Sequence, residues 1–299
     1  MPVLVVGSTA FDTVETPFGQ REKCLGGSAT YFSLAAQRFT EVKMVSVVGE
    51  DFPDEHRKLL TEQGIDIEGL EMKPGKTFSW SGKYSADMNS RETIDVQLNT
   101  FGDFAPKLPQ SYRTSPFTFL ANGAPSTQAS VLDQIDGSTF AVADTMDLWI
   151  DVANDDLMAL LTRIDGLILN DEEAKMLTGE SNLIRAGRRV LELGPKLVIV
   201  KKGEHGSFLF SNYFQYALPA YPTDTVVDPT GAGDSFAGGF MGFLAECDSL
   251  SLWNMKRAMA YGTVCASLNV EGFGVEPLAG ATRDHLERRY RDLIQFVSV

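Results

Sequence analysis

The stretch Val226 to Glu246, VVDPTGAGDSFAGGFMGFLAE, carries the residues best placed for chemistry. An apolar pair leads into Asp-Pro, a glycine-rich turn and a helix-period run. Phe236, Phe240, Phe243 and Leu244 fall at i, i+4, i+7 and i+8, which predicts a helix with one apolar stripe starting near Gly231 to Asp234. Gly231, Ala232 and Gly233 are small enough to let their amide N–H groups face a bound anion, and the positive end of the helix dipole adds to the attraction. A carboxylate at Asp234 can cap the helix. It can also act as a general base, taking the proton of a hydroxyl as that oxygen attacks phosphorus. Spacing alone leaves both roles open.

Such a device needs a scaffold. Nearly all-apolar runs recur at Val3 to Val6, Val42 to Val48, Phe117 to Leu120, Phe140 to Val142, Leu167 to Leu169 and Leu197 to Val200, the pattern of strands covered on both faces. Between them lie helix-period segments at Ser28 to Phe39, Pro53 to Gln63, Ser126 to Ile135, Leu157 to Ile164 and Glu172 to Thr178. This alternation predicts an α/β fold with a mainly parallel sheet. Asn170 then stands at a strand's C-terminal end, where open α/β sheets bind ligands, or serves as the N-cap of the next helix. Thr77 to Tyr84 and Thr93 to Asn99 instead alternate apolar and polar residues and predict a half-exposed antiparallel hairpin. Its apolar face needs a cover, so it closes over a site as a lid or meets a second subunit. Phe11 to Leu25, with Pro17 and Gly19 at a turn, can supply further lid strands. No repeat, low-complexity stretch or long linker divides the chain, so one domain is expected over residues 1–299, with lid strands inserted at about 11–25 and 76–100.

The 26 Lys+Arg against 40 Asp+Glu give a net charge of −14, which argues against nucleic acid as a partner. An acidic protein that binds anions needs a local device such as backbone amides, because its overall field repels them. Cys24, Cys247 and Cys265 are far apart and without metal-ligand spacing, and read as buried thiols in a reducing compartment. The N-terminal run lacks a basic region and ends by Asp12, and no apolar run approaches the 18 or so residues of a membrane span. The expectation is a cytoplasmic protein that meets neither membrane nor nucleic acid. Gly75-Lys76-Thr77 imitates the end of a phosphate-binding P-loop, but Leu70 occupies the first glycine position and a strand follows. Arg283 to Asp292 reads as a solvated terminal helix.

The run Asp228-Pro229-Thr230-Gly231-Ala232-Gly233-Asp234-Ser235-Phe236 closely resembles the C-terminal signature of the ribokinase-like, PfkB-type family of sugar and nucleoside kinases. The resemblance spans almost the whole chain. Gly7 and Asp12 are similar to the family's first strand and substrate-binding aspartate, and Gly26-Gly27 to its double-glycine signature. Val48-Gly49-Glu50-Asp51 resembles its VGxD element, Asn170-Asp171-Glu172-Glu173 its NxxE motif, and Lys202-Gly203-Glu204-His205-Gly206 its KxGxxG strand-turn.

That resemblance implies a three-layer fold, a mainly parallel central sheet flanked by helices with a small β-sheet lid, and an ATP- and Mg²⁺-dependent kinase. Asp234 would be the base, with Gly231, Ala232 and Gly233 as the anion hole. Asp12 and Gly27 would contact acceptor hydroxyls, although Asp12 by itself reads as a turn residue. Lys202, Gly203, Gly206 and Thr230 would lie along the nucleotide, and Asn170 and Glu173 would organise Mg²⁺ through water. Asp228 and Thr230 stand where several members bind an activating monovalent cation such as K⁺; their other role is a turn that aims the glycines. Family lids often pair between subunits, which implies a homodimer. After Gly26-Gly27 this chain reads Ser28-Ala29-Thr30-Tyr31, without the Lys or polar residue and Asn of many sugar kinases. Tyr31 is either core or an aromatic wall for an acceptor. The acceptor therefore stays open between a sugar or sugar derivative and a nucleoside, with a non-catalytic sensor as the alternative outside enzymes.

Overall fold

The computed structural model describes residues 1–298. From the N-terminus the chain runs through β1 (Val3–Val6), β2 (Ala10–Thr16), β3 (Gly19–Gly26), α1 (Ser28–Ala36), β4 (Val42–Gly49), α2 (Asp54–Glu62) and β5 (Ile65–Lys73). Next come β6 (Phe78–Tyr84), β7 (Arg91–Gln97), β8 (Phe117–Leu120), α3 (Pro125–Leu132), β9 (Phe140–Asp144), α4 (Asp147–Val152) and α5 (Asn154–Leu161). Then follow β10 (Gly166–Asn170), α6 (Asp171–Thr178), α7 (Leu183–Glu192), β11 (Leu197–Lys201), β12 (Ser207–Ser211) and β13 (Gln215–Leu218). The C-terminal helices are α8 (Ala232–Cys247), α9 (Leu252–Asn269), α10 (Glu276–Gly280) and α11 (Arg283–Val297).

The main sheet has the order β13-β12-β11-β10-β9-β8-β1-β4-β5. It is parallel from β11 to β5, and β12 runs antiparallel to both its neighbours. Successive strand residues enter opposite cores: Val3 and Val5, or Leu197 and Ile199, pack with α1, α8, α9 and α11. Leu4 and Val6, or Val198 and Val200, pack on the other face with α5 and α7. Each strand is thus apolar throughout because both faces are covered.

Helix α8 departs from the single apolar stripe predicted for it, being buried all round from Ser235 to Ala245. Its glycines explain why. A Cβ on Gly238 would lie 2.3 Å from Phe32 O, one on Gly242 2.9 Å from Ala36 Cα, and one on Gly239 2.8 Å from Tyr261 O. The helix is held tightly between α1 and α9, which fixes the position of its N-terminus.

The small second sheet has the order β3-β2-β6-β7, using the two predicted segments. Its root is the Val48–Asp51 element: Asp51 Oδ1 accepts from both the amide and the hydroxyl of Thr77, each at 2.7 Å. The same Thr77 hydroxyl receives the Gly49 amide at 3.0 Å, so the false P-loop match is the lid's anchor. Every residue of β7 is exposed. Two smaller expectations need correction. Only Cys265 of the three free cysteines is buried, Cys24 and Cys247 being partly exposed. Helix α11 is not simply solvated, since Leu286 and Leu293 are buried. No helix among the described residues is long and apolar enough to cross a membrane.

Candidate active site

On the acceptor side, Gly27 adopts φ 95°, and a Cβ there would sit 2.5 Å from Ser8 O. Only glycine fits this join between β3 and α1. Ser8 and Ser28 lock it further, each amide donating to the other's hydroxyl at 3.2 and 3.0 Å. A Cβ on Gly26 would fall 1.9 Å from Asp12 Oδ2, so the double glycine makes room for the Asp12 carboxylate. Asp12 is 5% exposed. Burial, helped by the charges of Asp228 and Asp234, pushes its carboxyl up to about 7, against the Gly27 amide and the Tyr31 hydroxyl.

Tyr31 is 1% exposed, which overturns its reading as an aromatic wall for an acceptor. Its hydroxyl lies 3.5 Å from Asp12 Oδ2. Its ring lies beneath Gly231, where a Cβ would come within 2.4 Å of three ring carbons. One buried side chain therefore joins Asp12 to the glycine-rich turn.

That turn begins at Asp228, 1% exposed, whose Oδ1 accepts from the Thr230 amide at 2.9 Å and Oδ2 from the Gly274 amide at 3.2 Å. Asp228 thereby serves the turn role that the sequence left open. The Thr230 hydroxyl donates to the Tyr84 hydroxyl of the lid at 3.2 Å, and its carbonyl accepts from Asn269 at 2.7 Å. Thr230 thus ties the lid to the turn. Gly231 caps α8 at φ 76°, and its carbonyl accepts from both the amide and hydroxyl of Ser235. Of the predicted anion hole, Ala232 is the exception: its amide donates to Pro229 O at 3.1 Å. The amides of Gly231 and Gly233 find no acceptor among the described residues.

Asp234, in the first turn of α8, is only partly exposed. Burial and the charge of Asp144 push its carboxyl up to about 7, opposed by Lys201 and by Arg91 of the lid. A carboxyl at this value can exchange a proton near neutral pH.

Asn170 and Glu173 form a capping box at the start of α6. Asn170 Oδ1 accepts the Glu173 amide at 2.8 Å and Glu173 Oε2 accepts the Asn170 amide at 2.7 Å. The N-cap role is therefore real, and Glu173 Oε1 is left over for a ligand. Burial raises Glu173 to about 7 despite the Lys201 charge. Lys202 does not point toward the turn: its Nζ donates to His205 O at 3.2 Å and lies 4.1 Å from the Phe208 ring centroid. Gly203 and Gly206 shape the β11–β12 turn at φ 52° and 80°, and a Cβ on Gly206 would strike Leu218 O at 2.1 Å. The lysine that reaches the glycine-rich turn is Lys201 and not Lys202; counted back from Gly203 and Gly206, the first position of KxGxxG falls on Lys201, one residue before the lysine chosen from the sequence. The Lys201 Nζ would lie 2.8 Å from a Cβ on Gly233, and its carboxylate neighbour is Asp144 at 3.7 Å. The signal was available in the end of β11, beside Asn170 in the parallel register.

Comparison with known proteins agrees with this arrangement. The family model "pfkB family carbohydrate kinase" matches residues 3–279. A cytidine kinase of Thermococcus kodakarensis is 30% identical over 270 residues, covering 87% of this chain and 96% of the relative. A nucleoside kinase of Methanothermobacter thermautotrophicus is 26% identical over 303 residues, covering 96% and 94%. Among solved structures, an E. coli protein crystallised with ATP and Mg²⁺ under the name ribokinase II superposes with a TM-score of 0.80 at 23% identity, over 97% of this chain and 99% of that one. The fold, the paired acidic and glycine-rich elements and the family match agree, and the chain belongs to the pfkB family of carbohydrate kinases, a phosphotransferase.

Proposed function

We propose that this kinase transfers the terminal phosphoryl group of ATP to a hydroxyl of a small sugar or sugar-bearing acceptor, with Asp234 as general base. The observation that carries this reading is Tyr31, whose hydroxyl meets Asp12 and whose ring lies under Gly231. An acceptor whose hydroxyls donate to Asp12 then stands beside the N-terminus of α8. Its reacting oxygen attacks phosphorus; the new O–P bond forms as the P–O bond to ADP breaks, and the hydroxyl proton passes to Asp234. The free amides of Gly231 and Gly233 receive the charge that builds on the phosphoryl oxygens.

Among the described residues no three His, Cys, Asp or Glu side chains converge on one point to cage a cation. The residues present fit an ion carried in on the nucleotide's phosphates with most of its water, Glu173 Oε1 and Asn170 facing that water. Bound Mg²⁺ would neutralise phosphate charge. For K⁺, the turn offers Asp228 together with Asn269 Oδ1, a buried oxygen with no donor among the described residues. Lys202, Gly203 and Gly206 would serve the nucleotide only by shaping its turn. We place the enzyme in the cytoplasm as one 1–299 unit, in keeping with its free thiols.

A nucleoside is the second reading of the acceptor, supported by the names of two relatives whose alignments span most of this chain; two others of similar span are named for a sugar phosphate and a sugar acid. The rings of Phe78, Phe101 and Phe104 stack in a row at 5.5 and 5.4 Å. Phe101 and Phe104 also line a cavity beside Gly7 and Asn122 of only about 10 Å³, room for a single water, so a base would have to part these rings to enter. ADP release from ATP and Mg²⁺, measured across free sugars, sugar phosphates, sugar acids and nucleosides in K⁺ and in Na⁺, tests the proposal. Turnover with one acceptor class is expected. Silence with every acceptor while ATP still raises the melting temperature would contradict it and leave a nucleotide-binding sensor.

A further inference from the structure

Lys201 stands where the two halves of the nucleotide site meet. It is the last residue of β11, pairs in register with Asn170, and its side chain is 19% exposed. Its ammonium lies against the first turn of α8, 2.8 Å from where a Cβ on Gly233 would be. Two features of that position call for a ligand. The Asp144 carboxylate at 3.7 Å is too far for a hydrogen bond, and Nζ has no acceptor within hydrogen-bond distance among the described residues. An ammonium has three donors, and leaving them unmade in a largely buried setting is costly. The second feature is electrostatic: the carboxylates of Asp144, Glu173 and Asp234 keep Lys201 charged, so a full cation stands at a helix N-terminus where the dipole is already positive and the Gly231 and Gly233 amides are also free. Amides and ammonium both face the same small space, and an anion there would satisfy all of them at once.

We propose that Lys201 is a catalytic residue, its ammonium donating to oxygens of the phosphoryl group in transfer, and that Asp144 holds it in place. This rests on the phosphotransferase assignment and adds a residue to it. A side chain at 233 would push the lysine Nζ away from the turn, since its Cβ would lie 2.8 Å from that atom. The lysine forms its full set of bonds only as charge gathers on the equatorial oxygens, so its contribution falls on kcat more than on the binding of ATP.

The competing account is structural, with Lys201 present only to balance the carboxylates around it, Asp144 foremost and then Glu173 and Asp234. Lys201→Met and the double variant Lys201→Met/Asp144→Asn separate the two, since the double variant removes the nearest of those carboxylates along with the ammonium. Should the single variant fail to fold, the double variant carries the test alone. Both are assayed for kcat, KM for ATP, melting temperature and affinity for ADP with Mg²⁺ and aluminium fluoride as a mimic of the transferring group. The expected result is a kcat loss of about 10²–10³-fold in both variants, the range for removing one donor to a developing oxyanion. KM for ATP should stay within about threefold and the mimic should bind at least tenfold more weakly. Recovery of wild-type kcat in the double variant would overturn the proposal, as would an unchanged kcat in the single one.

Discussion

Asp12 and Asp234 are both drawn up to about 7, yet the two values serve different ends. For Asp234 the raised value makes a base that can take and release a proton near neutral pH. For Asp12 it is a burden on the ligand-free fold, relieved when acceptor hydroxyls donate to the carboxylate. A carboxyl whose folded pKa lies above its unfolded value of 3.8 binds its proton more tightly when folded. Stability is therefore full below about pH 4, falls as the pH rises through the interval, and stays reduced above 7. Asp12→Asn should stabilise the ligand-free protein at pH 8 by on the order of 2–4 kcal/mol and make no difference at pH 4, while acceptor binding is lost. Paired thermal melts at the two pH values check this, and an equal effect at both would refute it. The asparagine can still accept from the Tyr31 hydroxyl, so the comparison isolates the charge. Of these residues, Asp12 and Asp234 were picked out in the sequence through the family resemblance, since spacing alone left Asp12 a turn residue and Asp234 either a helix cap or a base. Asp144 was not, since it is a single charged residue at the end of an apolar strand; Lys201 was marked by KxGxxG but passed over for its neighbour Lys202, and only the sheet order shows that it meets Asp144.

Among the elements, the lid is the one whose surface does not close on itself. Ile94 and Val96 lie two apart on β7 at 59% and 46% exposure, with Leu98 at 48% just beyond. Lone exposed apolar residues need no explanation, but a run of three along one strand and its edge calls for a cover. We expect a second copy to provide it. Light scattering at micromolar concentration should give twice the 32.7 kDa chain mass, and Ile94→Asp/Val96→Asp should return it to a single chain. A wild-type monomer would contradict this. The hairpin was readable because its alternation differs from the all-apolar strands around it. Helix α9 and strand β5 were not. The helix is buried on nearly every side from Ala258 to Cys265 and shows no stripe, while β5 is an edge strand whose Asp66, Glu68 and Glu71 read as loop.

The whole molecule places its chemistry at one end of the main sheet, where β1, β9, β10 and β11 finish and α8 begins. The acidic surface repels a nucleotide at long range, so binding depends on the local amides and on Lys201. Composition and alternation carried the α/β class and the lid, because both follow from which faces are covered. The joining of acceptor and phosphoryl halves through Tyr31 was not readable, since an aromatic residue in a helix carries no mark of what its ring will touch. The central claim is that Asp234 accepts the acceptor's proton. The most direct measurement is kcat of Asp234→Asn with the acceptor that turns over best, alongside the affinity for ATP. A fall of about 10²–10⁴-fold with ATP affinity little changed is predicted; a kcat close to wild type would remove Asp234 from the mechanism.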